Sequence, residues 1–151
     1  MADVENLMIQ DAENAQRAVL DLILKYPKFP SGFTADNKTV RWNRIETTTS
    51  IGIFPLQGSM YLKKYISGSY TAQMPFQIVF RSSPGTNKAS IDAQLVVEEL
   101  SKWLEERCVE FKDKHMTLDS IVRTSPVFTA AQDEKTVDYA VNMQLKYQYM
   151  K

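Results

Sequence analysis

His115 and Cys108 are the only histidine and cysteine in this chain of 151 residues, and they bound the side-chain chemistry open to it. A nucleophilic site would need Cys108, or a serine, to meet His115 and an acid in space. Cys108 falls on the apolar stripe of a helical pattern, where a thiol acts as a small hydrophobe. His115 closes the run Lys112, Asp113, Lys114, His115, a solvated stretch whose cations suit the end of a helix. A structural zinc site would need several carboxylates to join them, and the sequence clusters none. Glu98 with Glu99, and Glu105 with Glu106, are adjacent, so on a helix each pair diverges by about 100° and does not face across a cleft. The expectation is a chain with no catalytic residues, cofactor site or metal site, and therefore not an enzyme. A small hydrolase using Cys108 and His115 is a competing reading, which thiol-specific inactivation would favour.

Binding chemistry is better represented. Tyr61, Lys63, Lys64 and Tyr65 interleave aromatics with cations, a mixture able to stack bases and neutralise phosphate. On a regular strand Tyr61, Lys63 and Tyr65 would share a face. In a chain with 18 Lys plus Arg against 18 Asp plus Glu there is no global basic field to hold a polyanion. A protein interface is therefore the expectation for these four residues, with single-stranded nucleic-acid binding as the alternative. The aromatic end supplies further candidates: Tyr147 is divided between core and contact, and Tyr149 with Met150 is read as an intersubunit contact. Phe128 is the remaining interface candidate. Between Ser82 and Ser90, Gly85 and Lys88 precede a helix, but Asn87 stands where a phosphate loop has its second glycine. The segment reads as a capped turn.

Two long alternating runs must position these residues. Tyr70, Ala72, Met74, Phe76, Ile78 and Phe80 share one face of the run Ser69–Arg81. Val137, Tyr139, Val141, Met143, Leu145, Tyr147 and Tyr149 share one face of the run Val137–Tyr149. A period of two over such lengths predicts antiparallel strands with one buried face. At about 3.3 Å per residue each would reach roughly 40 Å, beyond a small domain of about 30 Å, so their ends must overhang or meet a neighbour. Pro75 lacks a ladder donor and predicts an edge position or a bulge.

Helical spacing of Val4, Leu7, Met8, Ala15, Val19, Leu22, Ile23 and Tyr26 predicts a first helix, stopped by Pro27 and Pro30. The stretch Lys28–Asn43 reads as loop, with Trp42 pinned to the core. Arg44–Pro55 and Met60–Ile66 read as strands, joined by a turn at Gln57–Ser59. A second helix, capped by Thr86 or Asn87, buries Ala89, Ala93, Val96, Val97, Leu100, Leu104, Cys108 and Phe111 and runs to about Phe111. Ser120–Thr129 and Val137–Tyr149 form a hairpin around a turn at Ala130–Lys135. The fold class is α+β, one domain over 1–151, with two helices on one face of an antiparallel sheet of four to five strands. The start of the chain lacks a signal-peptide pattern, and no run of 18 apolar residues occurs, so neither secretion by a leader nor a membrane span is expected.

Three segments carry a family resemblance: Met60-Tyr61-Leu62-Lys63-Lys64-Tyr65-Ile66-Ser67-Gly68-Ser69-Tyr70, then Pro75-Phe76-Gln77-Ile78-Val79-Phe80-Arg81, then a helix opening at Asn87 and closing in Leu100-Ser101-Lys102-Trp103-Leu104. They resemble the small phage proteins often called minor capsid proteins, which belong with the tail terminator, or tail-completion, proteins of long-tailed phages. The match is clearest over about a third of the chain, and the element order suits the family throughout. The resemblance implies a homo-oligomeric ring, typically a hexamer, that caps the tail tube, stops its growth and presents its other surface to a head connector or neck protein. It implies the tail tube protein as a partner, a place in the virion tail or neck, assembly in the cytoplasm of a host bacterium, and neither membrane nor specific nucleic acid as partner. A related use in headless phage-tail-like bacteriocins would also suit. A head-closure or connector-adaptor protein is the nearest alternative.

Overall fold

The computed structural model describes residues 2–29, 40–43, 45, 49–56, 61–107, 111 and 113–151, with backbone alone for 2–12. The two alternating runs lie side by side as β4 (Tyr70–Ser82) and β7 (Val137–Tyr149), antiparallel in one register from Tyr70 opposite Tyr149 to Ser82 opposite Val137. Paired residues point to the same side of a sheet, so the apolar halves of the runs coincide. Phe76 lies opposite Met143 and Ile78 opposite Val141, all four fully buried.

Each long strand is flanked by two shorter strands in succession. β2 (Ser50–Pro55) pairs the far half of β4, and β3 (Tyr61–Lys64) pairs its near half. On the other side, β5 (Met116–Arg123) pairs the near half of β7 and β6 (Phe128–Gln132) its far half. β1 (Val40–Trp42) runs parallel to β2. The expected four to five antiparallel strands are thus corrected, among the described residues, to seven in a mixed sheet of order β1-β2-β4-β7-β5, with β3 on β4 and β6 on β7. The physical reasons are local. The single strand expected over Ser120–Thr129 breaks around Pro126, where the Thr124 amide donates to the Asn142 carbonyl (2.8 Å) and Ser125 Oγ accepts from the Asn142 amide (3.0 Å). β1 arises inside the stretch read as loop, because Val40 is buried and Trp42 packs against the core.

Pro75 corrects a second expectation, since β4 is interior and its register to β7 runs through Pro75 unbroken. The Pro75 carbonyl accepts from the Leu56 amide at 3.0 Å, on the side where β2 has ended. A strand residue's N–H and C=O point the same way, so the missing donor also faces that side and no β7 ladder bond is lost.

The helices α1 (Ala2–Leu24) and α2 (Asn87–Glu105) bury Ala15, Val19 and Ile23, and Ala93, Val97, Leu100 and Leu104, in the same core as the apolar face of β4 and β7. Tyr26 and Trp103 join the helices edge to face at 5.3 Å. Thr86 caps α2, its Oγ1 accepting from the Ala89 amide at 3.2 Å. The helix stops at Glu105 instead of reaching Phe111, whose ring packs at 5.8 Å from that of Tyr147.

The last hairpin turns later than Ala130–Lys135, because Ala130–Gln132 stays in β6 through a bulge between Thr129 and Ala131. Asp133 then organises the turn. Its Oδ1 accepts from the Lys135 and Thr136 amides, each at 2.7 Å, while its own amide donates to the Thr136 carbonyl at 2.9 Å. The Thr136 and then the Lys135 amide bonds hold the exposed Asp133 carboxyl below its ordinary value of 3.8. A depressed carboxyl favours the folded turn above the ordinary value, and that support is lost as pH falls through the folded value. In an NMR titration the Lys135 and Thr136 amide resonances are expected to move with a midpoint below 3.8. In Asp133→Asn that transition should vanish; its persistence would mean another group governs the turn.

Candidate functional site

The near end of the sheet, where β3, β4, β7 and β5 lie side by side, gathers most of the candidate residues. The β3–β4 hairpin closes through Ile66, Ser67 and Gly68: the Gly68 amide donates to the Tyr65 carbonyl (3.0 Å) and the Tyr65 amide to the Ser69 carbonyl (2.9 Å). Gly68 has φ of 95°, the left-handed value that lets so short a loop re-enter the strand. Its α-carbon also faces the last residue, since an added Cβ would lie 2.8 Å from Lys151 Cδ.

The chain end is tied to this hairpin. The Lys151 amide donates to Ser69 Oγ (3.0 Å), the Met150 amide to the His115 carbonyl (2.9 Å), and His115 Nδ1 lies 2.9 Å from the Met150 carbonyl. His115 therefore fastens the start of β5 to the end of β7.

A bulge between Tyr61 and Lys63 revises which side chains share a face. Tyr61 lies opposite Ala72 and Lys64 opposite Tyr70, on the core side, whereas Lys63 lies opposite Thr71 on the outer side. Tyr61 and Lys63 are thus separated, and two cation–π contacts form: Lys64 Nζ stands 4.7 Å from the Tyr61 ring and Lys63 Nζ 5.1 Å from the Tyr65 ring. A row of rings crosses the sheet from there. Tyr61 meets Tyr70 edge to face at 5.1 Å, Tyr70 stacks on Tyr149 at 5.2 Å, and Tyr149 lies 5.7 Å from His115.

This row spends its aromatic surface inside the chain. Tyr147 and Tyr149 are both buried, so their rings belong to the core. Buried Tyr70 and Tyr149 likewise offer no open ring face to a base. Phe128 is elsewhere, opposite Ala140 on the outer face. That is nine residues along β7 from Tyr149, about 30 Å at roughly 3.3 Å per residue.

What remains exposed at the hairpin end is apolar and basic. Leu62 and Tyr65 are each 46% exposed, Ile66 is fully exposed and Met150 55%, with Lys63 and Lys64 between them. A cleft of about 300 Å³ opens beside the tip, between Tyr65, Ser67 and Thr71 on one side and Gln148 and Met150 on the other. Concave apolar surface rimmed by polar groups is the form of a contact site. Of the residues the sequence singled out here, Lys63, Lys64, Tyr65 and Met150 are exposed and Tyr61 is half-buried against the core, whereas Leu62 and Ile66 emerge only once the bulge and loop are seen.

Of the residues weighed for chemistry, His115 is engaged at the end of β7 as described above. Glu105 accepts from Arg123 Nε at 2.7 Å and so joins α2 to β5. Cys108 lies outside the described residues. Among the described residues no three His, Cys, Asp or Glu side chains are grouped so as to hold a metal ion, and no helix is long and apolar enough to cross a membrane.

No protein-family model matches the chain, and no curated protein matches it by sequence. Among solved structures, it superposes on a chain of the virion of a native gene transfer agent (GTA) particle with a TM-score of 0.51. The superposition covers 74% of this chain and 79% of that one at 8% identity, so the likeness is one of fold. A second solved chain, 12% identical, is covered to 96% and covers all of this chain, at a TM-score of 0.46.

Proposed function

We propose that this protein is a structural component of a phage-type virion, and more closely a tail terminator. In that role it closes as a ring, typically of six copies, on the last ring of the tail tube protein, stops tube growth and offers its other surface to a head connector or neck protein. The observation that carries the proposal is the fold shared with a chain of a gene transfer agent virion, over most of both chains. The exposed apolar hairpin end supports it, because a surface of this kind is costly to leave in water unless a partner covers it. The work assigned to the chain is structural, performed at the neck of a particle assembled in a bacterial cytoplasm. His115 and Glu105 support that assignment, since both already hold structural partners.

The test is the mass of the protein in solution across concentration, by light scattering, with negative-stain images of the same sample. A closed ring near six chain masses is expected, and such rings added to polymerising tail tube protein should shorten the tubes. Tubes that grow to the same length with and without it would sink the terminator role. Docking on a connector ring, with no effect on tubes, would move the protein to head closure.

A further inference from the structure

A ring needs two different patches on each copy, one for each neighbour. The hairpin end supplies one, apolar with Lys63 and Lys64, neither of which ion-pairs with a carboxylate among the described residues. The other lies on α2. The buried stripe of this helix runs through Ala93, Val97, Leu100 and Leu104, which places Leu95 almost diametrically opposite at about 100° per residue. Leu95 is 42% exposed, and Ile91, one turn earlier on the same outward side, is 58% exposed. Asp92, Glu98 and Glu99 flank them against Lys88 and Lys102, leaving one surplus negative charge.

The two patches match in chemistry and lie apart. Each combines large apolar side chains with charge, basic on the hairpin and acidic on the helix. The hairpin tip is at the Tyr70 end of β4, whereas α2 begins just after Ser82, at the other end of that strand. Within one chain Ile66, Ile91 and Leu95 are all exposed, so the hairpin does not cover its own helix patch.

Building on the ring reading above, we infer that the β3–β4 hairpin tip of one copy docks on the outward stripe of α2 in the next copy. Ile66 and Tyr65 lie against Ile91 and Leu95, with Lys63 facing the carboxylates of Asp92 and Glu99 and Lys64 reaching round the tip toward them from the other face of the hairpin. The contact is head to tail, so it repeats around a ring. Its charges set direction and encounter more than strength, and the apolar side chains supply the burial.

The test pairs Ile66→Cys with Leu95→Cys in a Cys108→Ser background, oxidised mildly at high protein concentration. The doubly substituted chain is expected to form a ladder of cross-linked multimers ending at a closed ring. Each singly substituted chain should stop at trace dimer. Dimers formed as readily by Ile66→Cys alone would mean a two-fold contact and overturn the inference, as would the absence of a ladder from the double variant. As an independent readout, Lys63→Glu with Lys64→Glu should raise the concentration for half-assembly at least 10-fold, and Asp92→Lys with Glu99→Lys added to the same chain should restore most of it. Assembly unmoved by the reversal would also overturn it. Rings that persist without the cross-link would discard this contact and leave the ring reading standing, whereas a strict monomer that leaves tail tubes unchanged would discard both.

Discussion

Phe76→Ala is expected to lower the free energy of unfolding by about 3–5 kcal/mol, as for other fully buried aromatics cut to alanine. Phe76 sits in the middle of β4, opposite Met143, with no surface exposed to water. β2 ends beside it, where Pro55 is its partner, so the neighbouring backbone is already committed on both sides. A cavity there cannot collapse without moving β7, whose register is continuous over all thirteen pairs. Domains of this size are stable by roughly 5–15 kcal/mol, so the variant should unfold at a markedly lower denaturant midpoint with an unchanged slope. A cost below about 1 kcal/mol would mean that the core face is loosely packed and that the long register does not fix it.

The same register explains why so much of the fold could be read from the sequence. Alternation over Ser69–Arg81 and Val137–Tyr149 specifies face and length at once, and a slip of one residue would turn every apolar side chain to water. The helices were legible for the same reason, from Ala15, Val19 and Ile23 and from Ala93, Val97 and Leu100. The flanking strands were less so. Whether Ser120–Thr129 is one strand or two depends on how Ser125 and the Thr124 amide bond to Asn142, a residue distant in sequence. Val40–Trp42 is too short to show a period, and its pairing with Ile51 and Ile53 is a tertiary event.

The candidate site was legible in composition but not in orientation. Tyr61, Lys63, Lys64 and Tyr65 mark the hairpin, yet the bulge after Tyr61 inverts the faces that plain alternation assigns. In the sequence Tyr149 reads as a contact from the apolar stretch Tyr147–Met150, but it stacks on Tyr70 and is buried in the core. Ile91 and Leu95, on which the proposed docking rests, were not singled out, although the pattern was present: two large apolar residues four apart on the side of α2 away from its buried stripe.

The second large effect is expected at Arg81 and Asp138, and it tests whether a polar pair on the outer sheet face is structural. The residues lie opposite each other on β4 and β7, and the guanidinium grips the carboxylate with two bonds, Nε to Oδ1 at 2.8 Å and a terminal nitrogen to Oδ2 at 2.9 Å. The Asp138 side chain is 10% exposed and that of Arg81 23%, so water screens the pair only in part. The hydrogen bond that Arg81 donates to Asp138 is the largest influence raising the Arg81 value above that of an ordinary guanidinium, ahead of the opposing effect of burial, and Asp133 adds to it from the turn. Asp138→Ala strands a charge that the fold has partly withdrawn from water. We expect a loss of about 2–4 kcal/mol, below the full cost of a buried charge because Asp133 and solvent compensate in part. Arg81→Met with Asp138→Leu removes both charges and keeps the volume, so it should cost no more than about 1–2 kcal/mol, and the two single changes should be strongly non-additive. A surface pair would behave otherwise, with each single change near zero and the cycle additive. Denaturant unfolding of the four proteins separates the cases. Only the first is compatible with Arg81 and Asp138 locking β4 to β7 at the far end of the sheet, as Tyr70 and Tyr149 do at the hairpin end.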